Sequence, residues 1–90
     1  MAEPACVFLP DALVRLFPGA PRQVAVNAGS VAEAIAELER RWPGMADRLC
    51  DSSPAIRRHL KIFVEGERAG LDTPIRPGGE MLVMTAVSGG

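Results

Sequence analysis

The chain has 90 residues, enough for one domain, and its content of 48 % hydrophobic and 23 % charged residues is typical of a folded globular protein. Ten basic residues stand against eleven acidic ones, so no excess of positive charge favours nucleic acid or an anionic membrane as a partner. The sequence shows neither the basic start and apolar core of a signal peptide nor an apolar run long enough for a transmembrane helix, so we expect a cytoplasmic protein.

The first 26 residues predict a β-hairpin with a long connection. Residues 5–9 form an apolar run that Pro10 closes, which indicates a strand. Two prolines within the segment 18–21 mark a turn, and residues 22–26 then alternate polar and apolar side chains with the period of a half-buried strand. We therefore expect these two strands to pair.

The clearest predicted element is a helix over residues 30–42. Ser30 is a good N-cap, and Glu33, three residues later, completes a capping box. Apolar side chains then recur at spacings of four, three and four, which predicts one buried face. This face consists of Val31, Ile35, Leu38 and Trp42.

The second half of the chain predicts a short helical segment and two further strands. Met45 and Leu49 are spaced for one more helical turn, and residues 51–54 read as a loop. Residues 60–64 alternate as a third strand, residues 65–67 turn the chain, and a Pro-Gly-Gly turn precedes a last strand from Met81 to residue 86 or 87. The order ββαββ predicts an α+β domain whose mixed sheet packs on one face of the main helix.

The cysteines and the histidine do not predict a metal or catalytic site. A zinc site normally needs four ligands, and Cys6, Cys50 and the single His59 fall short of that number. No acidic, serine or cysteine residue stands at a spacing from His59 that would indicate a catalytic pair. The cluster at residues 57–59 is typical of a solvated basic surface. We expect both cysteines to be free thiols that pack as small apolar side chains.

The C-terminal sequence is Val87-Ser88-Gly89-Gly90, and a diglycine backbone can enter a narrow channel because it carries no Cβ atoms. Together with Asp72-Thr73-Pro74-Ile75 and Pro77-Gly78 before the last strand, and with the capped helix, this ending makes the chain resemble the MoaD/ThiS family of ubiquitin-like sulfur carrier proteins. The middle segment is most similar to the longer, CysO-like branch of that family. The resemblance implies the β-grasp fold, with a domain over residues 1–86 and a tail over 87–90.

The resemblance also implies a function for the end of the chain. An adenylating enzyme of the ubiquitin-activating type would join the carboxylate of Gly90 to AMP, and Gly89 belongs to the same reactive end. The carrier would then leave as a thiocarboxylate and deliver sulfur to an accepting synthase, and a metalloprotease is a third candidate partner. ATP and Mg²⁺ would be used by the activating enzyme, so the chain itself would bind no cofactor or metal and would be a protein co-substrate rather than an enzyme.

Docking to such partners requires an exposed surface near the tail. Phe63 points away from the apolar face of the third strand, and Leu82 and Met84 lie on the face opposite Met81 in the last strand. If these strands are neighbours, as in the β-grasp fold, the three side chains form one exposed apolar patch, of the kind that marks partner sites. The resemblance adds Val87 and Ser88 of the tail as partner-binding residues.

Three other functions remain open from the sequence. The same activated Gly90 could form an isopeptide bond with a lysine, which would make the chain a protein modifier. The chain could also be a non-catalytic interaction module with an inert tail, or, much less in keeping with its few ligands, a small metal or redox protein. The sulfur could be destined for cysteine, molybdopterin, thiamine or a secondary metabolite.

Overall fold

A five-stranded mixed sheet, three helices and their connections make up residues 3–85, which are the residues that the computed structural model describes. Among them, no helix is both long enough and apolar enough to cross a membrane. In chain order the elements are β1 (Ala5–Phe8), α1 (Asp11–Val14), β2 (Gln23–Val26), α2 (Val31–Arg41), α3 (Met45–Leu49), β3 (Leu60–Val64), β4 (Glu67–Arg68) and β5 (Glu80–Thr85).

The strands lie side by side in the order β2-β1-β5-β3-β4. Strand β1 pairs antiparallel with β2, which confirms the predicted N-terminal hairpin, and parallel with β5. Strand β3 pairs antiparallel with both β5 and β4. The sheet is therefore mixed, as predicted, and the first and last strands of the chain lie next to each other at its centre.

Helix α2 has the predicted N-cap, because the Ser30 hydroxyl oxygen accepts a hydrogen bond from the Glu33 amide at 3.2 Å. The Glu33 carboxylate reaches back one residue beyond the cap and accepts from the Gly29 amide at 2.8 Å. On the solvent side the Arg41 guanidinium pairs with Glu37 at 3.0 Å. The helix thus begins where the sequence predicted.

The predicted end of this helix and part of its apolar face need correction. Val31, Ile35 and Leu38 are buried as expected, but α2 ends at Arg41 and Trp42 is a half-buried C-cap residue with φ −132° and ψ 86°. The physical reason is Pro43, since the residue before a proline is sterically driven out of the helical region.

The predicted second helical turn is α3, and it belongs to the core. Its two apolar side chains, Met45 and Leu49, are fully buried against the same cluster as α2. The Glu39 carboxylate of α2 accepts hydrogen bonds from the amides of Gly44 at 3.0 Å and Ala46 at 2.9 Å, where α3 begins. These bonds satisfy amides that a helix start leaves without partners, and they lower the pKa of Glu39.

Two elements differ from the predicted order ββαββ. Helix α1 spans only four residues, too few for a helical period to be visible in the sequence. Strand β4 has two polar residues, Glu67 and Arg68, so it carries no apolar signal; Glu67 was predicted as part of a turn. It exists because Arg68 registers with Phe63 across the sheet, and the Ala69 amide donates to the Ile62 carbonyl at 2.8 Å.

Candidate functional site

Strand β5 positions the predicted reactive end of the chain. It lies between β1 and β3, and its last described residue, Thr85, registers with Leu60 at the start of β3. The pairing with β1 ends at Leu82, whereas the pairing with β3 continues to Thr85, so the ladder to β3 holds the point from which the tail continues. The predicted site residues Val87, Ser88, Gly89 and Gly90 follow this point and lie outside the described residues.

The three predicted patch residues lie together on the face of the sheet opposite the core. Phe63 registers directly with Leu82, and Met84 follows two residues further along β5. Leu82 and Met84 are 40 % and 45 % exposed, whereas Phe63 is half-buried rather than fully exposed. Their interleaved partners Met81 and Val83 are buried on the other face, as the alternation predicted.

Phe8 extends this surface and was missed in the sequence. It is half-buried in β1 and registers with Leu82 across the parallel pair. Its alternation with buried Val7 was the available signal, but that signal is useful only once β1 is known to lie beside β5. We call the surface of Phe8, Phe63, Leu82 and Met84 the outer patch; with Glu65 and Glu80 at its border it lines a shallow cavity of about 500 Å³.

The helices lie on the opposite face of the sheet. The buried side chains of β1, β2, β3 and β5 share one cluster with those of α2 and α3. The segment between α3 and β3 also lies away from the outer patch, since Arg57 contacts α3 through a 2.6 Å hydrogen bond from its Nε to the Asp47 carbonyl. In the part of the chain that the structure describes, no helix therefore covers the outer patch.

A second cavity, which we call the tail-side groove, opens at the other face of the same end of β5. Its volume is about 710 Å³, and it contains Thr85 together with side chains from three separate segments. These segments include Leu16 and Phe17 after α1, Asp47 and Arg48 of α3, and Arg57 and His59 before β3. The predicted basic cluster is thus divided: Arg57 and His59 line the groove, whereas Arg58 is exposed outside it.

The two cysteines are free thiols, and both are half-buried. Burial, with a smaller contribution from the neighbouring Asp51 carboxylate, raises the pKa of Cys50. A thiol with a raised pKa is protonated at neutral pH and is a weak nucleophile. Among residues 3–85, no three His, Cys, Asp or Glu side chains are grouped so that they could hold a metal ion.

Comparison with known proteins finds relatives that are similar to this chain in sequence and in length. No model of a known protein family matches the chain. The sulfur carrier protein CysO of Mycobacterium tuberculosis, like that of Mycobacterium bovis, is 31 % identical over 84 residues, covering 87 % of this chain and 90 % of the relative.

Solved structures show the same fold. The CysO chain in the crystal structure of the Amycolatopsis orientalis BexX/CysO complex has a TM-score of 0.84 and 26 % identity, over 96 % of this chain and 99 % of that one. The crystal structure of Mycobacterium tuberculosis CysO has a TM-score of 0.82 and 27 % identity, over 92 % and 99 % of the two chains. With the mixed sheet and main helix described above, these similarities confirm the predicted β-grasp fold.

Proposed function

The chain belongs to the CysO-like branch of the MoaD/ThiS family of ubiquitin-like sulfur carrier proteins, and on this basis we propose that it carries sulfur as a thiocarboxylate on Gly90. The observation that carries the proposal is the position of β5. The strand is paired with β1 over its first three residues and with β3 as far as Thr85, so the five residues that follow continue from a strand of the sheet beside the outer patch. A partner that binds the patch would therefore contact the chain within a few residues of the tail.

The chemistry begins with activation of a carboxylate, which is a poor electrophile because its leaving group would be oxide. An adenylating enzyme joins the Gly90 carboxylate oxygen to the α-phosphorus of ATP, and pyrophosphate leaves. Mg²⁺ bound to the nucleotide in that enzyme neutralises the phosphate charge. The product is an acyl adenylate, in which AMP is the leaving group.

Sulfur then replaces AMP. Sulfide attacks the carbonyl carbon and AMP departs with the bonding electrons; a persulfide reaches the same product if a thiol afterwards cleaves the sulfur–sulfur bond. The carrier is released as a thiocarboxylate, a soft nucleophile that delivers sulfur to an accepting synthase without release of free sulfide. None of these steps requires a general base or a metal in this chain, so its part is that of a co-substrate.

The outer patch supports this assignment as a docking surface. Its four side chains come from three neighbouring strands, and two of them are 40 % and 45 % exposed on a folded domain of this size. Exposed apolar clusters of this kind mark sites that a partner covers, and methionine adapts to partners of different shape. We expect the adenylating enzyme to bind here and the accepting synthase to use an overlapping surface.

The proposal is tested by extending the chain at its reactive end. One residue added after Gly90 moves the carboxylate about 3.3–3.6 Å along an extended backbone, which is as long as the near-attack distance of about 3–3.5 Å itself. We expect the extended chain to lose ATP–pyrophosphate exchange with the cognate adenylating enzyme, and to gain no sulfur in intact-mass analysis. The same residue added before Met1 is the matched control and should leave both measurements unchanged.

Two outcomes contradict the proposal. Equal exchange and equal sulfur gain by the parent and the extended chain would show that Gly90 is not the reactive end, provided that intact mass shows the extension still present. Adducts of the whole chain with other proteins, in place of a sulfur-for-oxygen mass gain, would instead assign the activated Gly90 to lysine conjugation. Gly90→Ala retains the carboxylate but adds a Cβ, so it should slow adenylation less than deletion of Gly90.

A further inference from the structure

The tail-side groove combines an apolar floor with a net positive charge. Leu16, which is 51 % exposed, and the half-buried Phe17 provide apolar surface, and Arg48 and Arg57 provide two guanidinium groups. Among the described residues that line the groove, Asp47 is the only acidic one. Neither arginine forms an ion pair with a carboxylate of residues 3–85, whereas four other arginines do.

The two groove arginines differ in their freedom. The Nε of Arg57 donates a hydrogen bond to the Asp47 carbonyl. Outside the groove, hydrogen bonds from the Ser53 hydroxyl and amide and from the Ala55 amide lower the pKa of Asp51, and the charge of Arg57 makes a smaller contribution in the same direction. Arg48 is exposed and has no such contact among the described residues. Its guanidinium is therefore the group most available to an incoming carboxylate.

The groove and the outer patch lie on opposite faces of one strand end. Met84 contributes to the outer patch and the next residue, Thr85, contributes to the groove, because successive side chains of a strand point to opposite faces. A protein that encloses the tail beyond Thr85 meets the mouth of the groove on the core side of the sheet. At the border of the outer patch Glu65 is paired with Arg76 at 2.6 Å, so Glu80 is the acidic side chain there whose charge is not paired within residues 3–85.

We propose that the tail-side groove is a second docking surface, which binds an acidic segment with an apolar side chain from an enzyme that encloses the tail. The apolar side chain would contact Leu16 and Phe17, and a flanking carboxylate would pair with Arg48. The identification of the enzyme as one that encloses the tail rests on the proposed function; the groove's preference for an acidic, apolar segment does not.

The test uses the whole protein, labelled with ¹⁵N, and a synthetic hexapeptide, Asp-Glu-Leu-Phe-Glu-Asp, blocked at both ends. We expect saturable shifts of the amide signals of Leu16, Gly44 and Arg48, and none when lysines replace the four acidic residues of the peptide. Arg48→Glu should weaken peptide binding about three- to tenfold, since an exposed ion pair is replaced by a repulsion. Arg58→Glu makes the same change of net charge outside the groove and should leave the affinity unchanged.

Several results would overturn the proposal. These are an equal loss of affinity in the two arginine variants, shifts confined to the outer patch, equal binding of the lysine peptide, and no saturable binding at millimolar peptide. Leu16→Ser tests the apolar contact separately and should weaken binding without changing the charge. Sulfur loading of the parent chain, measured by intact mass, reports on the proposed function alone, because peptide binding requires no chemistry at Gly90.

Discussion

Removal of the two exposed side chains of the outer patch should weaken docking far more than it weakens the fold. The change is Leu82→Ala with Met84→Ala. Both side chains lie on β5 immediately before the tail, and neither belongs to the buried cluster. If the adenylating enzyme covers the outer patch, these two side chains leave water on binding, which contributes favourable free energy to docking. Their truncation to alanine removes that contribution.

The magnitude follows from the exposed fractions. Fully burying a leucine or methionine side chain is worth about 1.5–3 kcal/mol. Covering the 40 % of Leu82 and the 45 % of Met84 that are still exposed is then worth about 0.6–1.2 and 0.7–1.4 kcal/mol. The double variant should lose about 1.3–2.6 kcal/mol of docking free energy, which corresponds to an affinity about 10- to 80-fold weaker.

The assay is equilibrium binding of the fluorescently labelled protein to the cognate adenylating enzyme, together with thermal unfolding of each variant. Val83→Ala is the matched control, since Val83 is 2 % exposed on the other face of the same strand. It should cost about 1–3 kcal/mol of stability but leave the affinity of the folded protein unchanged.

Two results would refute this reasoning. The first is undiminished affinity of the folded Leu82→Ala, Met84→Ala variant, which would show that the enzyme does not cover the outer patch. The second is an equal loss of affinity in Val83→Ala, which would show that the measurement reports general damage to the sheet rather than loss of a contact.

Three further predictions concern the core, the thiols and the acid stability of the domain. Leu38→Ala removes a fully buried side chain of α2 and should lower the free energy of unfolding by about 2–5 kcal/mol in a denaturant titration, whereas a loss below 1 kcal/mol would place Leu38 outside the core. Cys6→Ser with Cys50→Ser should still gain sulfur at the parent's rate in intact-mass analysis, because the protonated Cys50 thiol takes no part in the transfer. Since hydrogen bonds from the Gly44 and Ala46 amides lower the pKa of Glu39, its stabilising contribution is present at neutral pH and is lost as the pH falls through that lowered pKa. Thermal melts at decreasing pH should therefore show a smaller loss of melting temperature with acid for Glu39→Gln than for the parent. An identical dependence of melting temperature on pH in the two proteins would contradict the role of Glu39 as acceptor at the start of α3.

Local patterns in the sequence were sufficient for most single elements. The Ser30 cap, the spacing of Val31, Ile35 and Leu38, and the alternation in β3 and β5 all depend on neighbours within a few residues, and the structure contains each of them. The resemblance to sulfur carriers came from short motifs near the end of the chain, and the relatives confirm the family. The roles of Gly90 and of the outer patch in docking stay predictions.

Contacts between distant segments were decided only by the tertiary structure. Strand β4 is polar and two residues long, so nothing but its pairing with β3 makes it a strand. Phe8 joins the outer patch because β1 lies parallel to β5, more than 70 residues further along the chain. The tail-side groove likewise gathers residues 16–17, 47–48, 57 and 59 around Thr85. Periodicity reports which face a side chain occupies, but which faces meet depends on how the whole chain buries its apolar surface, and no local pattern contains that information.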